Sequence, residues 1–192
     1  MTAFHGEGTV KQIESDPIAM SEFPHNLWAP WRMEYIRSLS GDKPGGCFFC
    51  EYRDAAAADA ANHVLWRTAE TMVVMNRFPY TNGHLLVAPL AHKADFADLG
   101  DGPLGDLWKQ TRDAKSLLAQ AVGAQGFNIG INFGLCAGAG VPDHLHVHVV
   151  PRWNGDTNFM AVLGDVRVIP EGLDKMYVRL KEAAGNMGLP SK

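Results

Sequence analysis

His144, His146 and His148 alternate with Leu145, Val147 and Val149 in the stretch His-Leu-His-Val-His-Val-Val. Successive side chains of an extended strand leave on opposite faces, and same-face neighbours lie about 6.5–7 Å apart. Such a segment presents a row of three imidazoles on one side and an aliphatic face, suited to a core, on the other. Three chemistries are open to it. The row is the polar face of a surface strand, although His is not a favoured residue there. It supplies metal ligands, although consecutive same-face residues of one strand rarely fill three corners of a tetrahedron. Or one imidazole attacks an electrophile while its neighbours orient it or protonate the leaving group. The segment Gly134-Leu135-Cys136-Ala137-Gly138-Ala139-Gly140-Val141-Pro142-Asp143 runs directly into this strand. Glycines let backbone N–H groups approach and wrap an anion. Imidazole, with an ordinary pKa of about 6.5, is largely neutral at pH 7 and attacks phosphorus. Loop and strand together favour nucleophilic chemistry at a phosphate.

With Pro151-Arg152-Trp153 following it, the histidine strand resembles the signature of the histidine-triad (HIT) superfamily of nucleotide hydrolases and transferases. Asn76-Arg77-Phe78-Pro79-Tyr80-Thr81-Asn82-Gly83-His84-Leu85-Leu86-Val87 is similar to that family's nucleoside-binding strand-turn-strand. Leu27-Trp28-Ala29-Pro30-Trp31-Arg32-Met33-Glu34-Tyr35 and Asn154-Gly155-Asp156-Thr157-Asn158-Phe159-Met160 resemble bacterial diadenosine tetraphosphate phosphorylases and their relatives. The likeness covers about residues 27–185. Pro-Arg after the triad is similar to the dinucleoside polyphosphate branch, whereas the phosphoramidase branch tends to carry Gly-Gly. The resemblance implies that His146 attacks the α-phosphorus of a nucleotide and forms a nucleotidyl-imidazole, which water or phosphate then resolves. It implies that His148 touches the phosphate or the leaving oxygen, that Asn76 approaches the nucleoside sugar and that Phe78 lines the base pocket. Asn132, Gly138 and Gly140 complete the nucleotide contacts it implies.

Cys47-Phe48-Phe49-Cys50 is a C-x-x-C pair in a chain with one further cysteine, Cys136. A redox pair needs a helix N-terminus within a βαβ unit, and the sequence shows neither. A disulfide scaffold does not suit a chain of this length without a secretion signal. Two thiolates supply half of a tetrahedral zinc shell. In HIT relatives a similar C-x-x-C is completed by two histidines, and the resemblance transfers those positions to His92 and His144. Zinc would then brace the N-terminal segment against the histidine strand.

The 192 residues are 46% hydrophobic and 20% charged, with a formal net charge of −4. That is the composition of an ordinary globular domain, with no run of about 18 apolar residues to span a membrane. Without a basic stripe, duplex nucleic acid is not an expected partner. The N-terminus carries no charged-then-apolar signal pattern, so a cytoplasmic location is expected. Residues 1–26 are polar and aperiodic and read as a flexible arm, with a single HIT domain and C-terminal extension over 27–192. Helices are expected over 28–37 and the alanine-rich 54–61, and strands over 64–67, 71–76, 85–89 and 127–133. A long helix opens at Asp101-Gly102-Pro103 and stops at Gly123, with Leu104, Leu107, Trp108, Thr111, Leu118, Ala121 and Val122 near helical spacing. A last helix covers 172–186, with Leu173, Met176, Tyr177 and Leu180 on one face. Segregated strands and helices give an α+β class. The resemblance sharpens this to a five-stranded antiparallel HIT-like sheet and a two-fold homodimer. The expected activity is cleavage of dinucleoside polyphosphates, such as diadenosine tetraphosphate, by a hydrolase or phosphorylase. The alternatives are a nucleoside phosphoramidase and a non-catalytic nucleotide-binding protein.

Overall fold

The structure is a computed structural model that describes residues 46–157 and 169–191. The arm expected over 1–26, the helix expected over 28–37 and Asn158-Phe159-Met160 lie outside the described residues. Five strands, β1 (Val64–Arg67), β2 (Thr71–Met75), β3 (Leu85–Pro89), β4 (Gly126–Gly130) and β5 (Val147–Arg152), form one sheet in the order β1-β2-β3-β5-β4. All neighbouring strands are antiparallel. Among the described residues three α-helices accompany the sheet: α1 (Phe48–Asp54), α2 (Asp101–Val122) and α3 (Leu173–Asn186). No helix there is long and apolar enough to cross a membrane.

β2 and β3 read as unbroken apolar runs because both of their faces are covered. Val73, Met75, Leu85 and Val87 point to the main core, beside Leu107, Leu117 and Leu118 of α2 and Met176 and Leu180 of α3. Met72, Val74, Leu86 and Ala88 point the other way, onto Phe49 and Tyr52 of α1. Leu145, Val147 and Val149 join the main core, as their alternation predicts.

α2 begins and ends where its sequence signals lie. Pro103 sits in the first turn, where a missing N–H costs nothing. Gly123 closes the helix in the left-handed conformation (φ 61°), donating its N–H to the Leu118 carbonyl. Trp108 departs from the expected core face: it is 47% exposed and stands near Phe96 at the surface. In α3, Met176, Leu180 and Ala184 are buried, with Leu173 and Tyr177 packed at their margin.

The helix expected over 54–61 forms earlier. α1 occupies 48–54, and the alanines make only a 3-10 turn at Ala56–Ala58. Phe49 and Tyr52, three residues apart, bury one face of α1, whereas Ala55, Ala56 and Ala57 are exposed and have little surface to bury. Burial outweighs the few tenths of a kcal/mol per residue that alanine propensity offers. β4 ends at Gly130 rather than Phe133, and the regular ladder of β5 starts at Val147. Before Val147 the chain pairs differently: Leu145 N–H donates to the Lys93 carbonyl, beyond the end of β3 (2.6 Å).

Candidate active site and metal centre

β5 lies opposite β3 with His148 facing Leu86, so the triad shares the face that α1 covers. The Phe49 ring stands 4.9 Å from the His144 imidazole and 5.2 Å from that of His146. Alternation has placed three imidazoles on one side, but their surroundings give each a different state.

His146 Nδ1 lies 2.8 Å from the backbone carbonyl of His144. A carbonyl only accepts, so Nδ1 carries the ring proton and Nε2 carries the lone pair. Nε2 has no hydrogen-bond partner among the described residues, and the residue is 5% exposed. Burial holds the ring below the ordinary imidazole pKa, with the carbonyl acting in the opposite sense, so the neutral form is favoured. The result is a neutral imidazole with a fixed, available electron pair.

His144 is fully buried, and its Nε2 donates to the Pro89 carbonyl (2.8 Å). Its lone pair is therefore on Nδ1, which faces Cys47 Sγ at 3.1 Å, Cys50 Sγ at 3.7 Å and His92 Nδ1 at 3.2 Å. Cys50 Sγ lies 3.3 Å from His92 Nδ1, and the four donor atoms all fall within 4.8 Å of one another. Ligands held about 2.0–2.3 Å from a tetrahedral ion lie ~3.3–3.8 Å apart, so the spacing suits a Cys2His2 site. The Pro89 carbonyl supplies the outer hydrogen bond that aims a histidine ligand. These four residues could hold a metal ion. Cys47 caps the N-terminus of α1, so the helix start that sequence did not reveal is present. The βαβ setting of a redox pair is absent among the described strands, and burial pushes the Cys47 thiol up rather than down. Cys136 is exposed and lies apart from this cluster.

His148 Nδ1 is 3.0 Å from His84 Nε2, and its own Nε2 is buried without a hydrogen-bond partner among the described residues. The Tyr80 ring stacks on His148 (5.8 Å between centroids, 14° between planes). Asn76 sits at the end of β2 with Nδ2 3.2 Å from His84 Nδ1 and Oδ1 2.9 Å from the Phe78 N–H. His84 and Tyr80 are the members that sequence reading passed over. The available signal was parity: His84 and Leu86, two apart on β3's approach, must share a face. Gly83 fixes that approach with φ 78°, and a Cβ there would stand 3.2 Å from Leu118 Cδ2.

The Phe78 side chain is 72% exposed, and only its N–H joins the network. Asn132 is half-buried and makes no side-chain hydrogen bond among the described residues. Gly138 turns the chain in the left-handed conformation (φ 82°) after a 3-10 turn, and Gly140 is exposed.

Burial, with the His146 ring adding to it, holds His148 down to about 4. An unfolded histidine titrates near ~6.5, so between these values the unfolded chain binds more protons than the folded one. Stability is therefore full above about pH 6.5 and falls as acid is added toward pH 4. Thermal melts of the wild type and His148→Gln, at matched metal content, should show a smaller loss across that window in the variant. Parallel curves would contradict it.

The HIT domain family profile matches residues 57–155. A protein of Mycobacterium tuberculosis named AP-4-A phosphorylase is 35% identical over 151 residues, which are 76% of each chain. A bis(5'-nucleosyl)-tetraphosphatase (asymmetrical) of Schizosaccharomyces pombe is 35% identical over 95 residues, 50% of this chain and 52% of that one. Among solved structures, a zinc-bound histidine triad family protein from Mycobacterium smegmatis superposes with a TM-score of 0.56 at 26% identity, covering 76% of this chain and 98% of its own. A hypothetical histidine triad nucleotide-binding protein from Sulfolobus tokodaii shares the fold, with a TM-score of 0.60 at 24% identity over 73% of this chain and 93% of that one. This chain belongs to the histidine triad (HIT) family.

Proposed function

We propose that this protein cleaves the phosphoanhydride chain of dinucleoside polyphosphates by nucleotidyl transfer through His146. The observation that carries the proposal is the 2.8 Å approach of His146 Nδ1 to the His144 carbonyl, which calls for the ring proton there and leaves Nε2 as the electron pair. The similarity to an AP-4-A phosphorylase supports the substrate class. Nε2 forms a bond to the α-phosphorus of the nucleotide. The bond from that phosphorus to the bridging oxygen breaks, and the oxygen leaves with its electron pair as part of a nucleoside polyphosphate. The nucleotidyl-imidazolium keeps its proton on Nδ1, hydrogen-bonded to the His144 carbonyl, which offsets the new positive charge. His148 and the backbone N–H groups of the glycine loop at Gly138 and Gly140 meet the phosphate oxygens. Asn132 offers a further amide, and the exposed Phe78 ring offers a face for a base. Water or phosphate then attacks the same phosphorus and restores His146. From diadenosine tetraphosphate the first step releases ATP; the second gives AMP with water or ADP with phosphate.

His146→Asn should lower turnover at least about 10³-fold while nucleotide affinity, read by calorimetry, is kept. Chromatography of the wild-type products should show ATP with AMP, or ATP with ADP when phosphate is required. Near-normal turnover in the variant, or cleavage without ATP release, would overturn the proposal.

Zinc held by Cys47, Cys50, His92 and His144 belongs to the same proposal, with a structural role that braces α1 against the segment entering β5. Its support is the donor set, the His144 lone pair and a zinc-bound relative. A homodimer through β4 also belongs to it, because β4 is an edge strand and its Ile129 is 43% exposed. Native mass spectrometry reads both: two chains and two zinc ions per particle are expected, and Cys47→Ser should lose the metal and melt at a lower temperature. A particle of one chain would refute the dimer, and metal-free wild type would refute the zinc site.

A further inference from the structure

Between Cys47 and Cys50 the chain carries Phe48 and Phe49, and the first turn of α1 sends the two rings to different places. Phe48 is half-buried and meets Tyr52 edge-on, with 5.3 Å between centroids. Phe49 is fully buried, and its ring bears on the triad. It stands 5.2 Å from the His146 imidazole and 4.9 Å from that of His144, tilted 42° to each. The described hydrogen bonding of the His146 ring is the single bond from Nδ1 to the His144 carbonyl. One such bond fixes one corner of a ring and leaves the plane free to rock, because the outer torsion of histidine has broad minima. Nε2 lies off the line of that bond, so rocking would sweep its lone pair. Neighbouring rings bound this freedom. His148 meets His146 edge-on at 4.9 Å and 61°, but it belongs to the same strand. Phe49 comes from outside the strand and touches both His146 and His144, so one contact holds the donor and the residue that accepts from it. Behind Phe49 lie Val74, Leu86 and Ala88 in one buried cluster, with Val141, at the end of the glycine segment, against its margin. A close-packed apolar wall of this kind does not yield to a moving ring.

We propose that Phe49 is a positioning residue for the nucleophile: its ring, seated by the turn that carries both thiols, fixes the plane of the His146 imidazole and so aims the Nε2 lone pair before substrate binds. Attack needs the reacting atoms about 3–3.5 Å apart with orbitals aligned, and a misplacement of roughly 1 Å costs about 10²-fold in rate. A flat ring against the imidazole meets that demand without a hydrogen bond to Nε2, which must stay open for bond formation. An aliphatic side chain would fill much of the same space but present no flat face, and the imidazole would rock against it. Phe49 is fully buried and touches no substrate in this role, so it serves turnover and leaves binding alone. The aiming role rests on nucleotidyl transfer at His146, whereas the ring contact is a property of the free protein and is read separately.

The test uses full-length protein at pH 7 with ¹³C-labelled histidine and phenylalanine. In the wild type, nuclear Overhauser effects should link the Phe49 ring protons to the carbon-bound ring protons of His146, and the His146 ring should relax as a rigid part of the core. Phe49→Leu should keep the metal content of the wild type and lose that rigidity. Its kcat should fall about tenfold or more with KM within about twofold. Phe49→Tyr keeps a flat ring and should recover the rigid signature and most of kcat. Phe49→Met, an adaptable filler, should behave as Phe49→Leu does and replaces it if leucine costs the fold or the metal. A wild-type His146 ring that is mobile, or shows no proximity to Phe49, would overturn the proposal without any variant. A folded leucine or methionine variant with wild-type kcat would do the same, as would a loss confined to KM. So would a folded Phe49→Tyr protein no better than Phe49→Leu. Failure of the His146 chemistry would be seen instead as near-normal turnover in His146→Asn, with the wild-type ring contact unaltered.

Discussion

Leu145, Val147 and Val149 are locked into the main core, and the imidazoles between them have no other side to take. Burying each aliphatic side chain is worth about 1.5–3 kcal/mol, against roughly 1 kcal/mol for a single net hydrogen bond. Packing therefore decides where the segment lies, and hydrogen bonding decides only the protonation of what it presents. His144 shows the division within one residue. Its ring donates to the Pro89 carbonyl and turns a lone pair to the two thiols and His92, while its carbonyl accepts the hydrogen bond from His146 Nδ1. A cluster that could hold a metal ion and a candidate nucleophile are thus joined through one peptide unit. A shift of that peptide would disturb both.

The site makes its histidines different without charging them. Burial lowers His144 and His148 to about 4 and moves His146 in the same direction, so all three are neutral at pH 7. Neutral imidazoles have one proton and two places for it, and each place is chosen by an acceptor or donor other than the three rings themselves. The Pro89 carbonyl, the His144 carbonyl and His84 Nε2 make those choices in turn. Three residues of one type on one face thereby hold different arrangements of proton and lone pair.

Much of this arrangement is legible from residue spacing. The alternation over 144–149 foretells the two faces, Gly123 marks the end of α2, and 85–89 matches β3 to the residue. The pairing of Cys47 and Cys50 with His92 and His144 is legible only through family resemblance, because the four come from three distant segments. α1 is hidden because its helix depends on Phe49 and Tyr52 meeting the sheet, an event that propensity cannot register. His84 is hidden because a single histidine in a hairpin has no period. Its meaning arises only when β3 and β5 pair and bring it against His148. Trp108 misleads in the opposite way: it sits at helical spacing, yet a neighbouring position on α2 takes the core.

The central claim is that a bond forms between phosphorus and one nitrogen of one side chain. Mixing the protein with dinucleoside polyphosphate labelled at the α-phosphate, quenching in base within milliseconds and mapping the peptides would locate that bond. The label is expected on the peptide containing His146, as a base-stable phosphoramidate that disappears in acid. Label on His148 or His144, or turnover with no labelled peptide in wild type and a full yield from His146→Asn, would contradict the account.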